Sequence, residues 1–154
     1  SGRFNSAAAQ KKPYVILISI DGLRSDFVEK FNATSLQGYG KSGVVANYMT
    51  SAFPSLTFPN HYSIVTGLYP AHRGLVDNTF FDEKANATYT MSNKKMVADP
   101  YWYGGTPLWV LAEKQQMVTA SFYWVASEAA IANTKPTYFY NYNDKIKIEQ
   151  RCPL

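Results

Sequence analysis

A threonine hydroxyl at the start of a predicted helix is the first group in this sequence that could do chemistry. Thr57 follows a proline-containing loop, Pro59 stands where a first helical turn tolerates proline, and Gly67 is suited to end the helix. A helix amino terminus presents unpaired N–H groups and a positive dipole end, and both attract anions. The spacing therefore predicts a helix with Thr57 as its N-cap and makes the hydroxyl a candidate nucleophile. The alternative is an ordinary cap, since threonine begins many helices.

An acidic side chain follows the most apolar segment of the chain. Residues 14–20, YVILISI, form a nearly continuous apolar run, which is typical of a parallel strand covered on both faces. Asp21 comes directly after this run, at the carboxyl edge where open α/β sheets bind their ligands. A carboxylate at that edge is available to hold a metal ion. The alternative is an aspartate that caps the next helix.

The rest of the chain alternates predicted helices and strands. We expect a helix over 23–31, a glycine-punctuated turn over 38–43, a strand over 44–46, the Thr57 helix, an extended stretch over 76–81, an irregular excursion over 82–105 across the active-site face, a helix over 107–116 and a strand over 118–125. This order favours an α/β fold with a parallel sheet and crossover helices.

Composition excludes several classes of protein. The 154 residues carry a net charge of +4, but the basic side chains are scattered and form no recognisable nucleic-acid-binding motif. No run reaches the roughly 18 apolar residues that a membrane span requires. The single cysteine, Cys152, excludes an internal disulfide. Residues 1–12 are small and polar, which we interpret as a remnant of signal cleavage or of an expression vector, and residues 13–154 are assigned to the folded domain.

Taken together, several motifs resemble the nucleotide pyrophosphatase/phosphodiesterase family of the alkaline phosphatase superfamily. They are ISIDGLR at 18–24, PSLTFPNH at 54–61, TGLYP at 66–70, Gly74, Asp77-Asn78, WYGG at 102–105, PLW at 107–109 and FYW at 122–124. The resemblance covers nearly everything after Lys12. It implies an alkaline-phosphatase-like parallel sheet flanked by helices, incomplete in this chain, and a two-zinc hydrolase that cleaves phosphodiester or pyrophosphate bonds of nucleotides through a phospho-threonine intermediate.

The resemblance also assigns roles to three side chains. Thr57 would be the nucleophile and a zinc ligand, because coordination to a metal activates a hydroxyl that is otherwise a poor nucleophile. Asp21 would bind the same zinc through its carboxylate. Asn78 would donate its amide to a phosphate oxygen, together with the Thr57 backbone N–H, and so stabilise transition-state charge. On residue type alone, Asn78 is more simply a turn residue between strands.

Four further residues match positions at which the family binds substrate. Phe58 and Tyr142 would sandwich a nucleobase between aromatic rings, a contact that tolerates different bases. Trp124 and Met91 would form other walls of the pocket. The aromatic rings have an alternative role as core residues. A lysine at 94 or 95 is a further candidate for phosphate contact, and the register of its loop leaves that choice open.

The metal site that the family requires is not complete in this sequence. Further aspartate and histidine ligands would come from segments that this chain lacks, and its two histidines have other interpretations: His61 as a buried, hydrogen-bonded structural residue and His72 as a loop residue. We therefore expect residues 13–154 to be the N-terminal portion of a catalytic domain, with two Zn²⁺ in the complete enzyme and little or no activity in this chain alone. The C-terminal remainder of the same enzyme would supply the other ligands.

The resemblance implies a location outside the cytoplasm, whether periplasmic, extracellular or membrane-anchored. Two other functions stay open at this point. One is a different hydrolase of the superfamily, such as a phosphomonoesterase or phosphonate hydrolase, which would share Asp21 and Thr57. The other is a non-catalytic binding module that keeps half of the site.

Overall fold

The chain forms short helices and two small sheets. A computed structural model describes residues 13–72 and 74–151. The α-helices of this part are α1 Phe27–Lys30, α2 Thr34–Ser42, α3 Thr57–Thr66, α4 Lys94–Val97, α5 Leu108–Lys114 and α6 Ile148–Arg151. Its strands are β1 Thr79–Asp82, β2 Ala87–Thr90, β3 Ala120–Phe122 and β4 Tyr138–Tyr140, and single 3₁₀ turns cover Pro70–His72, Pro100–Trp102 and Ile131–Asn133.

One of the two sheets is antiparallel and the other is parallel. The β1–β2 pair is an antiparallel hairpin in which Thr79 lies opposite Thr90. The β3–β4 pair is parallel, with Ala120 opposite Tyr138. The predicted parallel sheet is therefore present as a two-stranded piece within the described residues, and the predicted strand over 118–125 is confirmed at its centre.

Helix α3 occupies the predicted place and ends as predicted. Gly67 adopts a left-handed conformation (φ 68°), and its N–H donates to the Ser63 carbonyl at 2.9 Å, which closes the last turn. The start differs by one residue. Leu56 has the extended backbone of an N-cap, and Thr57 is the first helical residue, without a capping hydrogen bond from its side chain. The prediction of Thr57 as N-cap was wrong.

A largely aromatic core holds α3 against the hairpin and α5. It consists of Tyr62, Val65, Leu75, Tyr89, Val97, Trp102, Tyr103, Trp109, Val110, Ala126, Ala129 and Ile131. The Tyr62 hydroxyl donates to the Gly104 carbonyl at 3.0 Å. The Tyr103 hydroxyl donates to the Val97 carbonyl at 2.9 Å and lies 3.2 Å from the Tyr89 hydroxyl, which is therefore the donor of that pair. Burial raises the pKa of Tyr89 to about 12 and also raises the pKa of Tyr103, so both phenols stay neutral.

The carboxylate of Glu113 ties α5 to the starts of both parallel strands. Its Oε1 accepts from the hydroxyls of Thr119 and Thr137 at 2.6 Å each and from their backbone N–H groups at 2.9 Å each. The hydroxyl of Thr119 and then that of Thr137 lower the pKa of Glu113 to about 2. One ionised group thus holds together the segments that begin β3 and β4.

Three predictions for the first third of the described chain were wrong. Residues 14–20 form no strand, and all of their side chains except that of half-buried Ser19 are exposed, from 95% at Tyr14 to 48% at Leu17. Residues 44–46 form no strand either. A run of apolar residues is typical of a strand that is buried on both faces, but a strand also needs a neighbouring strand to which its backbone can hydrogen-bond. The described residues provide no such neighbour for these two segments. The predicted turn over 38–43 lies mostly within α2, which includes Gly38 and Gly40 at a cost of about 0.5–1 kcal/mol each relative to alanine.

Several other predictions agree with the structure. The helix predicted over 23–31 is present in part as α1, and the one over 107–116 as α5 with Pro107 at its N-cap. The excursion over 82–105 contains the short elements β2 and α4. Helix α6 is described as far as Arg151, and the predicted remnant at 1–12 lies outside the described residues. None of the helices in 13–72 and 74–151 has the length and apolar character to cross a membrane.

Replacing Glu113 by glutamine is expected to destabilise the protein by about 1–3 kcal/mol near neutral pH, because four donors lose a charged acceptor. The folded-state pKa is lowered, so the ionised carboxylate stabilises the fold fully above the unfolded value of 4.5 and loses this effect as pH falls to about 2. The urea midpoints of wild type and Glu113→Gln should therefore converge over that range. Glu83→Gln, at an exposed position of the hairpin turn, is the control. A gap between the midpoints that did not depend on pH would contradict this assignment.

Candidate functional site

Asp21 and Thr57 meet at the amino end of α3. The Thr57 hydroxyl donates to Asp21 Oδ2 at 3.2 Å, across 36 residues of sequence. Asp21 is exposed and Thr57 is half-buried. Thr57 does not act as the predicted cap because it is the first helical residue and Leu56 is the N-cap, and its hydroxyl donates to a carboxylate. The structure therefore brings the predicted nucleophile and the predicted metal ligand into contact.

Asn78 is held against the same helix turn. Its Oδ1 accepts a hydrogen bond from the Phe58 backbone N–H at 3.0 Å. A backbone N–H only donates, so this contact fixes which atom of the amide is the oxygen and directs the Nδ2 hydrogens elsewhere. The Asn78 carbonyl accepts from the Met91 N–H at 3.0 Å, which closes the base of the hairpin. The side chain thus reaches a helix twenty residues away in sequence and does not form a local turn.

His61 connects α3 to the segment that carries Asp21. Its Nδ1 lies 2.9 Å from the Thr57 carbonyl oxygen and its Nε2 lies 3.0 Å from Ser19 Oγ. The prediction of a hydrogen-bonded structural histidine is confirmed, although the residue is half-buried and not buried. Sequence reasoning missed the partner, Ser19. The i, i+4 spacing from Thr57 places His61 on the same helix face as the threonine and was the available signal.

The four predicted substrate contacts lie in different surroundings. Trp124 donates its indole N–H to the His61 carbonyl at 3.2 Å, and half-exposed Met91 adjoins Asn78 through the backbone. Phe58 packs against the buried core, and Tyr142 is 55% exposed with its ring edge-on to Tyr123 at 5.4 Å. No ring contact joins Phe58 to Tyr142 in the part of the chain that is described. Two rings that hold a base between them need not touch each other.

Asn60 clamps the loop before α3, and sequence reasoning missed it. Its amide donates to the carbonyls of Ala52 (3.2 Å), Pro54 (2.8 Å) and Leu56 (3.0 Å), and its Oδ1 accepts from the Ala52 N–H at 2.7 Å. An asparagine in the first turn of a helix is unusual, because asparagine favours caps and turns, and this was the signal for a special role. One side chain thereby fixes the path by which the backbone reaches Thr57.

An open cleft separates residues 19–24 from α3. It is lined on one side by Ser19 and Asp21 and on the other by Leu56, His61 and Ile64. The cation on this rim is already paired. Arg24 donates to both carboxylate oxygens of Asp26 at 2.5 and 2.6 Å, which lowers the pKa of Asp26 and raises that of Arg24. The lysines at 94 and 95 are exposed at the start of α4.

The donors at this site fit part of a zinc shell. The Asp21 carboxylate and the Thr57 hydroxyl are oxygen donors close enough to share one ion. A zinc site normally has four ligands, and no group of three or more histidine, cysteine, aspartate or glutamate side chains in residues 13–72 and 74–151 could hold a metal. The described residues therefore provide half of a zinc shell at most.

Comparison with known sequences identifies relatives of one kind. Residues 15–152 match the family Type I phosphodiesterase / nucleotide pyrophosphatase. The chain is 37% identical over 142 residues to ectonucleotide pyrophosphatase/phosphodiesterase family member 3 of Mus musculus, covering 90% of this chain and 16% of the relative. It is 35% identical over 153 residues to venom phosphodiesterase 2 of Crotalus adamanteus, covering 98% of this chain and 19% of that protein. The chain thus spans less than a fifth of each of these relatives.

The fold is also similar to solved structures of such enzymes. Murine ectonucleotide pyrophosphatase / phosphodiesterase 5, solved as an inactive threonine-to-alanine variant in complex with AMP, superposes with a TM-score of 0.79 at 29% identity, over 86% of this chain and 36% of that one. This similarity confirms the predicted alkaline-phosphatase-like α/β class, of which the described residues form a part with small sheets.

Replacing Asn60 by alanine is expected to release the loop before α3, because the N–H and the carbonyl of Ala52 lose their side-chain partner and the carbonyls of Pro54 and Leu56 keep only a backbone donor. Loss of such a bond should speed amide hydrogen exchange at Ala52 by about tenfold or more. Exchange followed by NMR measures this directly. Asn47→Ala, an exposed position in the preceding loop, is the matched control and should leave exchange at Ala52 unchanged. Equal exchange in the two variants would show that Asn60 does not hold the loop.

Proposed function

This chain belongs to the type I phosphodiesterase / nucleotide pyrophosphatase family, and from that membership we propose that it takes part in zinc-dependent hydrolysis of phosphodiester or pyrophosphate bonds of nucleotides. One observation carries the proposal for these residues. The Thr57 hydroxyl contacts Asp21 while the next residue, Phe58, holds Asn78 in place. The proposed nucleophile, the proposed metal-binding carboxylate and the proposed amide donor thus meet at the first turn of one helix.

In the proposed reaction, Thr57 Oγ attacks phosphorus, and the bond from phosphorus to the leaving-group oxygen breaks. Water then hydrolyses the phospho-threonine and restores the hydroxyl. Asn78 Nδ2 donates to a non-bridging oxygen, and the N–H of Thr57, which as a first-turn group has no partner within its own helix, adds a second donor. A neutral amide suits a diester, which carries less charge than a monoester. The inactive threonine-to-alanine variant of the mouse relative supports a threonine in this role.

The residues present fit zinc in part, with Asp21 and Thr57 as its ligands in this chain. Bound zinc would supply the charge that lowers the pKa of the threonine hydroxyl. We propose that the remaining ligands, and those of a second zinc, come from the C-terminal remainder of the catalytic domain of which residues 13–154 are the N-terminal portion. The 154 residues alone should accordingly be inactive or weakly active.

Substrate and location follow from the relatives. The AMP complex of the mouse relative supports a nucleotide substrate, with Phe58, Met91, Trp124 and Tyr142 as the proposed contacts to its base and sugar. The names of the relatives, ectonucleotide enzymes and venom phosphodiesterases, support action outside the cytoplasm, in secreted, periplasmic or membrane-anchored form.

Replacing Thr57 by alanine is expected to abolish hydrolysis of a chromogenic nucleoside phosphodiester, with a loss of about a thousandfold or more, because no other group provides the nucleophile. The assay uses the longest polypeptide that carries this sequence, loaded with zinc. Thr88→Ala, an exposed position on β2, is the matched control and should keep full activity. Full turnover by Thr57→Ala would overturn the assignment. A preference for the corresponding monoester would favour a phosphomonoesterase of the same superfamily, and a zinc-free, inactive wild type would favour a binding module.

Replacing Asn78 by aspartate is expected to lower kcat by about a hundred- to a thousandfold, since an electrostatic donor is lost. Aspartate keeps an acceptor for the Phe58 N–H, so the packing of α3 on the hairpin should persist. Asn93→Asp is the control, because Asn93 also accepts backbone N–H bonds at a helix start, from Lys95 and Met96, and its side chain is not one of the proposed substrate contacts. If the two variants retained equal kcat, Asn78 would have a structural role only.

A further inference from the structure

We propose that His61 is a positioning residue that sets the distance between Asp21 and Thr57, an inference that rests on the proposed function of the same site. The carboxylate and the hydroxyl belong to different segments, and their separation of 3.2 Å depends on how those segments are held. Two oxygen ligands of one metal ion need a fixed separation, so the element that connects the segments controls the chemistry.

The segment that ends at Asp21 has few connections to α3. Residues 13–20 form no strand, and most of their side chains are exposed. Across the described residues, two side-chain hydrogen bonds join residues 13–22 to α3, one between Ser19 and His61 and one between Asp21 and Thr57. Because Ser19 lies two residues before Asp21, the contact with His61 sets where the carboxylate lies before any ligand binds.

The Thr57 carbonyl determines which nitrogen of the imidazole carries a donor proton. A carbonyl oxygen only accepts, so Nδ1 carries the proton that goes to the Thr57 carbonyl. In the neutral ring Nε2 is then an acceptor, and the Ser19 hydroxyl donates to it. The ring thus spans from the backbone of the proposed nucleophile to the segment of the proposed metal ligand, and each nitrogen has one role.

Trp124 restricts the movement of the histidine. The indole N–H donates to the His61 carbonyl at 3.2 Å, and the two rings lie edge to face at 5.9 Å and 73°.

A shorter polar side chain at position 61 can keep one of the two hydrogen bonds of the imidazole and lose the other. Asparagine can reach the Thr57 carbonyl and not Ser19, because it lacks the atom in the position of Nε2.

The test compares Ser19→Ala, His61→Asn and the double variant in the longest zinc-loaded polypeptide that carries this sequence, with a nucleoside phosphodiester as substrate. Each single variant is expected to lower kcat about ten- to a hundredfold with KM unchanged, because the reacting groups are displaced while the substrate pocket is kept. The double variant should lose no more than the worse single variant, since both remove the same bond. Ser19→Thr keeps the hydroxyl and should restore kcat, and His72→Asn, in the exposed 3₁₀ turn, is the matched control.

A wild-type kcat in Ser19→Ala would overturn the inference. Because this variant removes only one hydroxyl from a half-buried position, the protein should still fold, and the test stays decisive even if His61→Asn does not fold. A rise in KM at constant kcat, or additive losses in the double variant, would also overturn it. The side-chain ¹⁵N spectrum of His61 separates this inference from the proposed function. Protonation at Nδ1 and a shift of Nε2 on Ser19→Ala are expected even in an inactive protein, and their absence would reject the positioning role whatever the activity of Thr57.

Discussion

The packing of α3 is the constraint on which the rest of the site depends. In a helix, residues three and four apart share a face. Pro59, Tyr62 and Val65 therefore form one buried face, while Thr57 and His61 form another, which is directed to the segment that ends at Asp21. Tyr62 is fully buried and hydrogen-bonded to the Gly104 carbonyl, so the aromatic core fixes the rotation of the helix about its axis. A rotation that buried His61 would expose Tyr62 and unpair its hydroxyl. The apolar face of the helix thus determines where the hydroxyl of Thr57 lies.

The position of Asn78 depends on the same core through the β1–β2 hairpin. The hairpin is held by stacking of Phe80 on Tyr89 at 5.2 Å, and Tyr89 in turn donates to Tyr103. Asn78 directly precedes β1, so the register of the hairpin sets how far its amide reaches toward α3. The bond to the Phe58 N–H then uses one of the first-turn donors that a helix cannot pair internally. The hairpin therefore completes the helix start, and in return the helix start fixes the orientation of the amide.

Sequence reasoning predicted the parts of this arrangement that depend on local rules. Gly67 ends α3, and Pro107 begins α5, because each conformational preference is a property of one residue. The expectation that Asp21 and Thr57 lie together came from the motifs shared with the family and not from the periodicity of the sequence. The sequence could not predict that residues 14–20 lack a strand partner within the described part of the chain, or that Gly38 lies inside α2, since tertiary contacts decide both. It also could not predict the bonds of Asn60 and His61, because a polar side chain inside a helix does not indicate which distant carbonyl or hydroxyl it meets.

The directions of the hydrogen bonds around Thr57 suit the anionic substrate of the proposed reaction. Thr57 directs its proton to Asp21, so the lone pairs of the hydroxyl oxygen face away from the carboxylate. Asn78 has its oxygen engaged by the Phe58 N–H, so its two N–H donors are the atoms left for a ligand. The imidazole of His61 is occupied on both nitrogens and adds neither donor nor acceptor to that space. The side-chain acceptors of Asn78 and His61 are therefore occupied by protein donors, whereas the Asp21 carboxylate, which takes one proton donor from Thr57, keeps its negative charge. That remaining negative charge is the group that a cation must neutralise before a phosphodiester can approach Thr57, which is the physical reason for the metal requirement in the proposed reaction.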